Sequence, residues 1–578
     1  MPHTGASTDF STDGNGWVEG GAFPAEYTLG VSKTARVAVV QLRAFSMEEA
    51  EASLAHSMRR IDEVAASEKP DVIALPEVTY PAYFLGTGDL ASCGVLSPAE
   101  AVERFAAKAR EHGVYIAVGL ALDAAGGGYA NGAALFGRDG SLVGRYDKSF
   151  LWHFDNRWFT QGSAYPVFDT DIGRVGMLVC ADGRLPEIAR SLTLSGAQII
   201  LDLTAWVSGG RSPDELTTTQ YEYLMRTRAA ENGVWIACAD KSGVEAESIV
   251  YAGRSCFIDP RGTVVAALGP EEDAVLVHDV PIADAAPPVT RRPELYEMLS
   301  HPTESLPVLR TLDETFVPQE HEQRIAVVQM AMPATGTEFV AAARRHVERQ
   351  ALMDARLVVF PATPSRRRHA YDHDEVLEGM QAIAEETGVC VSFVVWDPDG
   401  DGFRTMYLVG DRGWIAAHRQ THKPPGERFA TMPMGNDACP VFHTPIGRVG
   451  LMLSAEGYVP EVARSLMLRG AEIILWAGDD PSLSMLHAAR TRAEENRVFV
   501  AAAAAPTANG ATLIADPNGR VLAIALEARE LAVGAEVNRA LAHIKERAPG
   551  TDVVRNRQPT TYGALTRART ATVAAGGG

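Results

Sequence analysis

Cysteine is scarce, with six in 578 residues, and no two form a Cys-x-x-Cys pair. That excludes a disulfide-stapled scaffold and a zinc-finger spacing. A reducing cytoplasm is the expected compartment. Positive charge is also short: 53 Lys and Arg against 73 Asp and Glu leave a formal charge of −20. Nucleic acid is therefore excluded as the main partner, because phosphate binding needs clustered Lys and Arg. No apolar run of about 18 residues occurs, so no spanning helix and no membrane partner are expected. The opening MPHTGASTDFSTDGNGWVEGG has neither the basic nor the apolar region of a secretory signal. The histidines are scattered without zinc spacing, and no metal or cofactor is expected. What remains is 46% apolar and 22% charged residues, which is ordinary globular usage. At about 150 residues per domain, the length suggests two to four domains.

The chain is written twice. RVAVVQL (36–42) returns as RIAVVQM (324–330), and RTRAAENGVWIACA (226–239) as RTRAEENRVFVAAA (490–503). GRVGMLVCADGRLPEIARSLTLSGAQIIL (173–201) returns as GRVGLMLSAEGYVPEVARSLMLRGAEIIL (447–475), identical at 18 of 29 positions without a gap. RRPELY (291–296) returns as RQPTTY (557–562). Repeats of this length are domains with their own cores, not solenoid units. The expected division is a flexible tail over 1–34, a first domain over 35–300, a linker over 301–322, a second domain over 323–565 and a tail over 566–578.

Within the first half, strand-like runs (37–42, 72–75, 114–120, 174–179, 198–203, 234–239) alternate with helical spacing (48–66, 99–111, 186–194, 215–231). Arg138-Asp139-Gly140 marks a hairpin turn. Such alternation predicts an α/β sandwich with a mixed sheet, twice in tandem.

Three polar residues end apolar strands, where α/β folds present reactive groups. Glu77 follows Val-Ile-Ala-Leu-Pro, Cys180 follows Arg-Val-Gly-Met-Leu-Val, and Lys148 closes Gly-Arg-Tyr-Asp-Lys. Alone, each reads as core or solvated charge. Together they make a nucleophile, a base and a cation. A thiol of pKa about 8.5 needs a base nearby and a positive group to lower its pKa and hold an oxyanion. Trp152, Phe154, Trp158 and Trp206 supply either a pocket wall or core. Arg184 pairs either with a substrate carboxylate or with Glu187.

The order Glu–Lys–Cys, in LPE, YDK and CADGRLPE, resembles the carbon–nitrogen hydrolase (nitrilase) superfamily over nearly all of 36–300 and more weakly over 323–565. The resemblance implies a four-layer αββα sandwich in each half. It implies Glu77, Lys148 and Cys180 as catalytic residues, with Asp155 in LWHFDNRWFTQG at the place of a second carboxylate, one methylene shorter than the usual Glu. Cys-Ala-Asp-Gly-Arg-Leu-Pro-Glu resembles amidases and N-carbamoyl hydrolases more than the Cys-Trp-Glu of true nitrilases. The expected reaction is hydrolysis of a small linear amide or ureido compound through a thioester on Cys180, with the Ala181 N–H helping to hold the oxyanion. Resolution by an amine would instead make an acyltransferase, and an inert scaffold is the third reading.

In the second half the parts are replaced. Ala362 stands for Glu77, Gln420 for Lys148, Ser454 for Cys180 and Glu427 for Asp155. The second half is therefore expected to be catalytically inert and to serve as the internal partner of the first, forming a pseudo-dimer within one chain. A further homo-oligomer stays open. The first half also carries ten extra residues, within Trp206–Thr219, read as either a pocket lid or a neutral surface loop.

Overall fold

The computed structural model describes residues 33–210, 212–312, 322–363, 371–397, 402–423, 432–479, 483–506 and 510–567. In the first half, Val- and Ala-rich runs form β1 (Lys33–Arg43), β2 (Val72–Tyr80), β3 (Tyr115–Asp123), β4 (Tyr129–Phe136) and β5 (Leu142–Asp147). β1, β2 and β3 are parallel, and β3, β4 and β5 antiparallel. Ala274–Ile282 runs antiparallel to β1. The β4–β5 turn is the expected hairpin, with Gly140 at φ +82° and the Gly137 N–H bonded to the Ser141 carbonyl.

A second sheet holds β6 (Val167–Thr170), β7 (Gly173–Val179), β8 (Ile199–Leu203) and β9 (Trp235–Ala239), followed by Cys256–Ile258 and Val264–Ala267. α1 (Ala50–Glu68) and α2 (Pro98–His112) cover the outer face of the first sheet, burying Ile61 and Phe105 against Ala38, Val40, Ile73 and Ile116. α2 starts on a Ser97–Glu100 capping box with Pro98 in its first turn, and ends on Gly113 at φ +64°. A single turn, α3 (Asp155–Trp158), follows β5. α4 (Pro186–Leu194) and α5 (Met225–Asn232) cover the second sheet. The layers are α–β–β–α, as the resemblance implied.

The second half repeats this plan. Glu322–Gln329, Ala355–Val359, Cys390–Trp396, Arg404–Gly410, Gly413–Arg419 and Leu531–Asn538 form one sheet. Val441–Thr444, Gly447–Leu453, Ile473–Ala477, Phe499–Ala503, Leu513–Ala515 and Val521–Ile524 form the other.

Some elements differ from expectation. The helix predicted over 215–231 begins late: Pro213–Glu215 is one 3-10 turn, Gln220–Leu224 a π turn, and the α-helix runs only over Met225–Asn232. The β-branched run Thr217-Thr218-Thr219 does not continue the turn that Ser-Pro-Asp-Glu begins. Lys33 and Thr34, expected in the tail, pair with Ile282 and Pro281. Residues 301–312, expected as linker, form the turn Thr303–Ser305 and the helix Pro307–Leu312, burying Leu306 and Val308. Glu427 lies outside the described residues.

One apolar core runs through both halves: Ile188, Leu192 and Met225 of the first belong to the same cluster as Val462, Leu466 and Met485 of the second. Ion pairs cross it reciprocally. Arg464 Nε lies 2.9 Å from Glu187 Oε1, and Arg190 Nε lies 3.2 Å from Glu461 Oε1. Arg228 Nη2 lies 2.5 Å from Glu495 Oε2, and Arg492 pairs with Glu231. These are the same repeat positions read in both directions, so the helices Pro460–Leu468 and Leu483–Asn496 meet α4 and α5 about a local two-fold. Each half also sends its last segment across. Arg291 binds Glu461, and Tyr296 meets His422. In return, Gln558 donates to the Gly162 carbonyl at 2.5 Å and Thr561 to Tyr165 at 3.2 Å.

Candidate active site

Glu77 lies near the end of β2, where Val78 takes a φ of +34° and the pairing with β3 shifts register. Lys148 is the residue after β5, its N–H bonded to the Asn131 carbonyl at 2.8 Å. Cys180 follows β7 and opens a 3-10 turn, Cys180–Arg184, at φ +48°. A left-handed backbone costs a non-glycine residue about 1–2 kcal/mol. The turn pays that by anchorage: the Cys180 N–H donates to Asp202 Oδ1 at 3.1 Å, and Gln220 Nε2 donates to the Cys180 carbonyl at 2.7 Å. Arg228 Nε donates to the Gly183 carbonyl at 2.9 Å.

Three side chains meet without solvent. Lys148 Nζ lies 2.6 Å from Glu77 Oε1 and 2.7 Å from Asp155 Oδ2, all at 0% exposure. Asn131 Nδ2 donates to Glu77 Oε1 at 2.6 Å, leaving Glu77 Oε2 unbonded. The Trp152 N–H fixes Asp155 Oδ2 at 2.9 Å. Burial raises the Glu77 carboxyl, against the pull of Lys148 and with a push from Asp155. Burial opposes the charge on Lys148, but Asp155 and Glu77 overcome it and hold the ammonium well above its ordinary range. Burial and the Glu77 charge push the Cys180 thiol well up, with Lys148 pulling the other way. The sequence expectation that Lys148 would lower the thiol is met in sign and outweighed in sum. The arrangement therefore holds a protonated sulfur, a base and a permanent cation.

The other candidates separate. Ala181 is buried in the turn that carries Cys180. Phe154 and Trp158 form an aromatic cluster with Tyr83 and Phe84, with ring centroids 5.0–5.8 Å apart. Tyr83 itself feels Asp155, Glu77 and Cys180 electrostatically, which puts that cluster beside the reactive groups. Trp206 is 1% exposed: its backbone N–H donates to Asp240 Oδ1 at 2.8 Å, and its buried indole N–H has no partner. Trp152 packs its ring under the Arg184 guanidinium, 4.6 Å from the centroid. Arg184 takes neither expected partner. Its Nη1 lies 2.6 Å from Glu494 of the second half, while Glu187 is held by Arg464. A guanidinium so engaged is not aimed at a substrate carboxylate.

Sequence reasoning missed Asn131, Tyr83, Asp202 and Gln220. Asn131 had a signal, being the one polar side chain inside the strand YANGAALF.

The second-half counterparts keep the backbone and not the groups. Ser454 has φ +55° at the same turn, and the Gln420 N–H bonds the Arg404 carbonyl at 2.9 Å as Lys148 bonds Asn131. Ala362 has no polar side chain to offer, and Ser454 Oγ donates to Asp479 at 2.6 Å.

The carbon-nitrogen hydrolase family model matches residues 36–287 and again 324–543. An omega-amidase of Mus musculus is 28% identical over 264 residues, covering 44% of this chain and 91% of its own. A probable nitrilase of Schizosaccharomyces pombe is 30% identical over 172 residues, covering 28% of this chain and 60% of its own. Among solved structures, an amidase from Nesterenkonia sp. is 23% identical with a TM-score of 0.38, covering 44% of this chain and 93% of its own. Two matches that together span most of the sequence, each over one sandwich, show that this chain belongs to the carbon–nitrogen hydrolase family and carries its domain twice.

Proposed function

We infer that the first half is a cysteine hydrolase of a small linear amide or N-carbamoyl compound. One observation carries the reading: Lys148 is clamped between Glu77 and Asp155 beside Cys180, all of them buried. Glu77 takes the thiol proton as sulfur attacks the carbonyl carbon. Lys148 and the Ala181 N–H receive the oxyanion; one such donor contributes about 10²–10³ in rate. The protonated Glu77 then gives its proton to the departing nitrogen, and ammonia leaves a primary amide. Water, deprotonated by Glu77, attacks the thioester and releases the acid. Asp155 keeps Lys148 charged and aimed. The second half, with Ala362, Gln420 and Ser454 in the key places, serves as a non-catalytic internal partner.

The amide preference draws on the omega-amidase relatives, and a nitrile is the competing substrate because one relative is described as a probable nitrilase. Intact-mass trapping decides. An acyl adduct forms on Cys180 with short amides and not with matched nitriles, and is absent from Cys180→Ala. A wild-type protein that gains no mass from amides, ureido acids or nitriles overturns the reading.

A further inference from the structure

Four buried ion pairs across the joint form two mirror images. Glu187–Arg464 answers Glu461–Arg190, and Glu231–Arg492 answers Glu495–Arg228. The contact of Glu494 with Arg184 has no such answer. Glu494 lies beside Glu495 on the helix Leu483–Asn496, and its repeat counterpart is Ala230; the counterpart of Arg184 is Tyr458. The contact therefore runs in one direction, from the second half toward the turn that carries Cys180.

The Glu494 carboxylate, 3% exposed, accepts from three first-half side chains: Arg184 Nη1 at 2.6 Å, Thr219 Oγ1 at 3.0 Å and the Tyr223 hydroxyl. Arg547 Nε stands 3.3 Å away within the second half. Burial opposes the Glu494 charge, but Arg184 and Arg547 overcome it and keep the carboxyl below its ordinary range. Each first-half grip leads to the site. Arg184 closes the turn Cys180–Arg184, which also carries the Ala181 N–H. Its guanidinium lies 4.6 Å from the Trp152 ring centroid, the Trp152 N–H holds Asp155, and Asp155 holds Lys148. Thr219 and Tyr223 flank Gln220, whose amide donates to the Cys180 carbonyl. A joint serving adhesion alone has no use for a contact made on one side only. A reactive turn has, because preorganised donors act only when aimed beforehand, and a shift of about 1 Å costs on the order of 10²-fold in rate.

We propose that Glu494 is a positioning residue of the first-half site: the second half supplies the carboxylate that fixes the Cys180 turn, through Arg184 on one side and the Thr219–Tyr223 segment on the other. The proposal rests on the reaction inferred for Cys180. It gives the second half a part in that reaction's rate, beyond its contribution to the joint.

The test is single-turnover acylation of the full chain by acetamide, propionamide and butyramide, followed by intact mass as a function of amide concentration. In Glu494→Gln the maximum acylation rate is expected to fall about tenfold or more, with the half-saturating concentration within about threefold of wild type. Arg184→Gln is expected to fall as far, and the double variant no further than Arg184→Gln alone, because one link is cut twice. Arg184→Gln carries the test if Glu494→Gln does not fold. Glu461→Gln weakens the joint away from the turn and keeps the wild-type rate. Hydrogen exchange over Cys180–Arg184 is expected to speed up in Glu494→Gln relative to β8. Acylation of Glu494→Gln at the wild-type rate, additive losses in the double variant, an equal loss in Glu461→Gln, or exchange that rises no more in the turn than in β8 overturns this proposal alone. A wild-type chain that takes no acyl group overturns the reaction assigned to Cys180 and this proposal with it.

Discussion

A lysine ammonium closed between two carboxylates fixes where protons sit in the first-half site. Asp155 raises Glu77 through space. Asp155→Asn removes that push and leaves Lys148 to Glu77 alone, so Glu77 loses its proton more easily. The acid limb of kcat/KM then moves to lower pH, while its plateau falls by about 10²-fold as Lys148 loses its aim. A pH–rate profile of the variant reads both. The sulfur makes a second prediction. Cys180 is 7% exposed and its thiol is held protonated, whereas Cys93 is exposed. Iodoacetamide at neutral pH is expected to label Cys93 well before Cys180, as peptide mapping by mass spectrometry would show. At this scale the polar residues that the sequence places at the ends of apolar strands, Glu77, Lys148 and Cys180, are the ones the fold brings together. The sequence was uninformative about Arg184, whose partner Glu494 lies 310 residues away and is an ordinary surface-like residue in any linear reading.

Helices α4 and α5 carry little chemistry and much of the joint between the halves. Removing one partner of a buried ion pair strands the other, at a cost of about 3–5 kcal/mol, whereas replacing both with apolar groups is near neutral. Glu187→Ala is therefore expected to lower the denaturant midpoint sharply by leaving Arg464 uncompensated, and Glu187→Leu with Arg464→Leu to recover most of the loss. The strands and α4 were legible from periodicity because their apolar faces are uninterrupted. The start of α5 was not, because the residues before it have helical composition up to Thr217-Thr218-Thr219, and a π turn shifts the phase at Gln220–Leu224. Trp206, read as pocket wall or core, is 1% exposed, sits in the same apolar cluster as Cys180 and Ala181, and has Tyr221 beside its ring at 6.5 Å.

Across the whole molecule, acid is expected to loosen the joint. Burial works against the Glu461 charge, but Arg190 and Arg291 overcome it and hold the carboxyl down at about 2, against 4.5 unpaired. A lowered carboxyl contributes stability that is full above pH 4.5 and is lost as pH falls from there toward about 2. Glu461→Gln removes that contribution, so its stability at neutral pH drops and its decline over pH 4.5 to 2 flattens, both measurable by urea titration. Duplication and the replacement of Glu, Lys and Cys in the second copy were plain in the sequence, since the repeated runs keep their order although the spacing between them changes. The crossing of terminal segments was not, because RRPELY and RQPTTY look alike and nothing local says which sandwich each one touches. That crossing has a consequence for biosynthesis. The loop bearing Asp155 is gripped by a segment 398 residues downstream: the His153 N–H donates to Thr551 Oγ1 at 2.7 Å, and Thr551 donates on to the Leu151 carbonyl. A ribosome must therefore translate as far as Thr551 before the nascent first sandwich gains these anchors. A stop codon shortly before Thr551 would release chains whose loop lacks its clasp, however early Cys180 emerged from the exit tunnel.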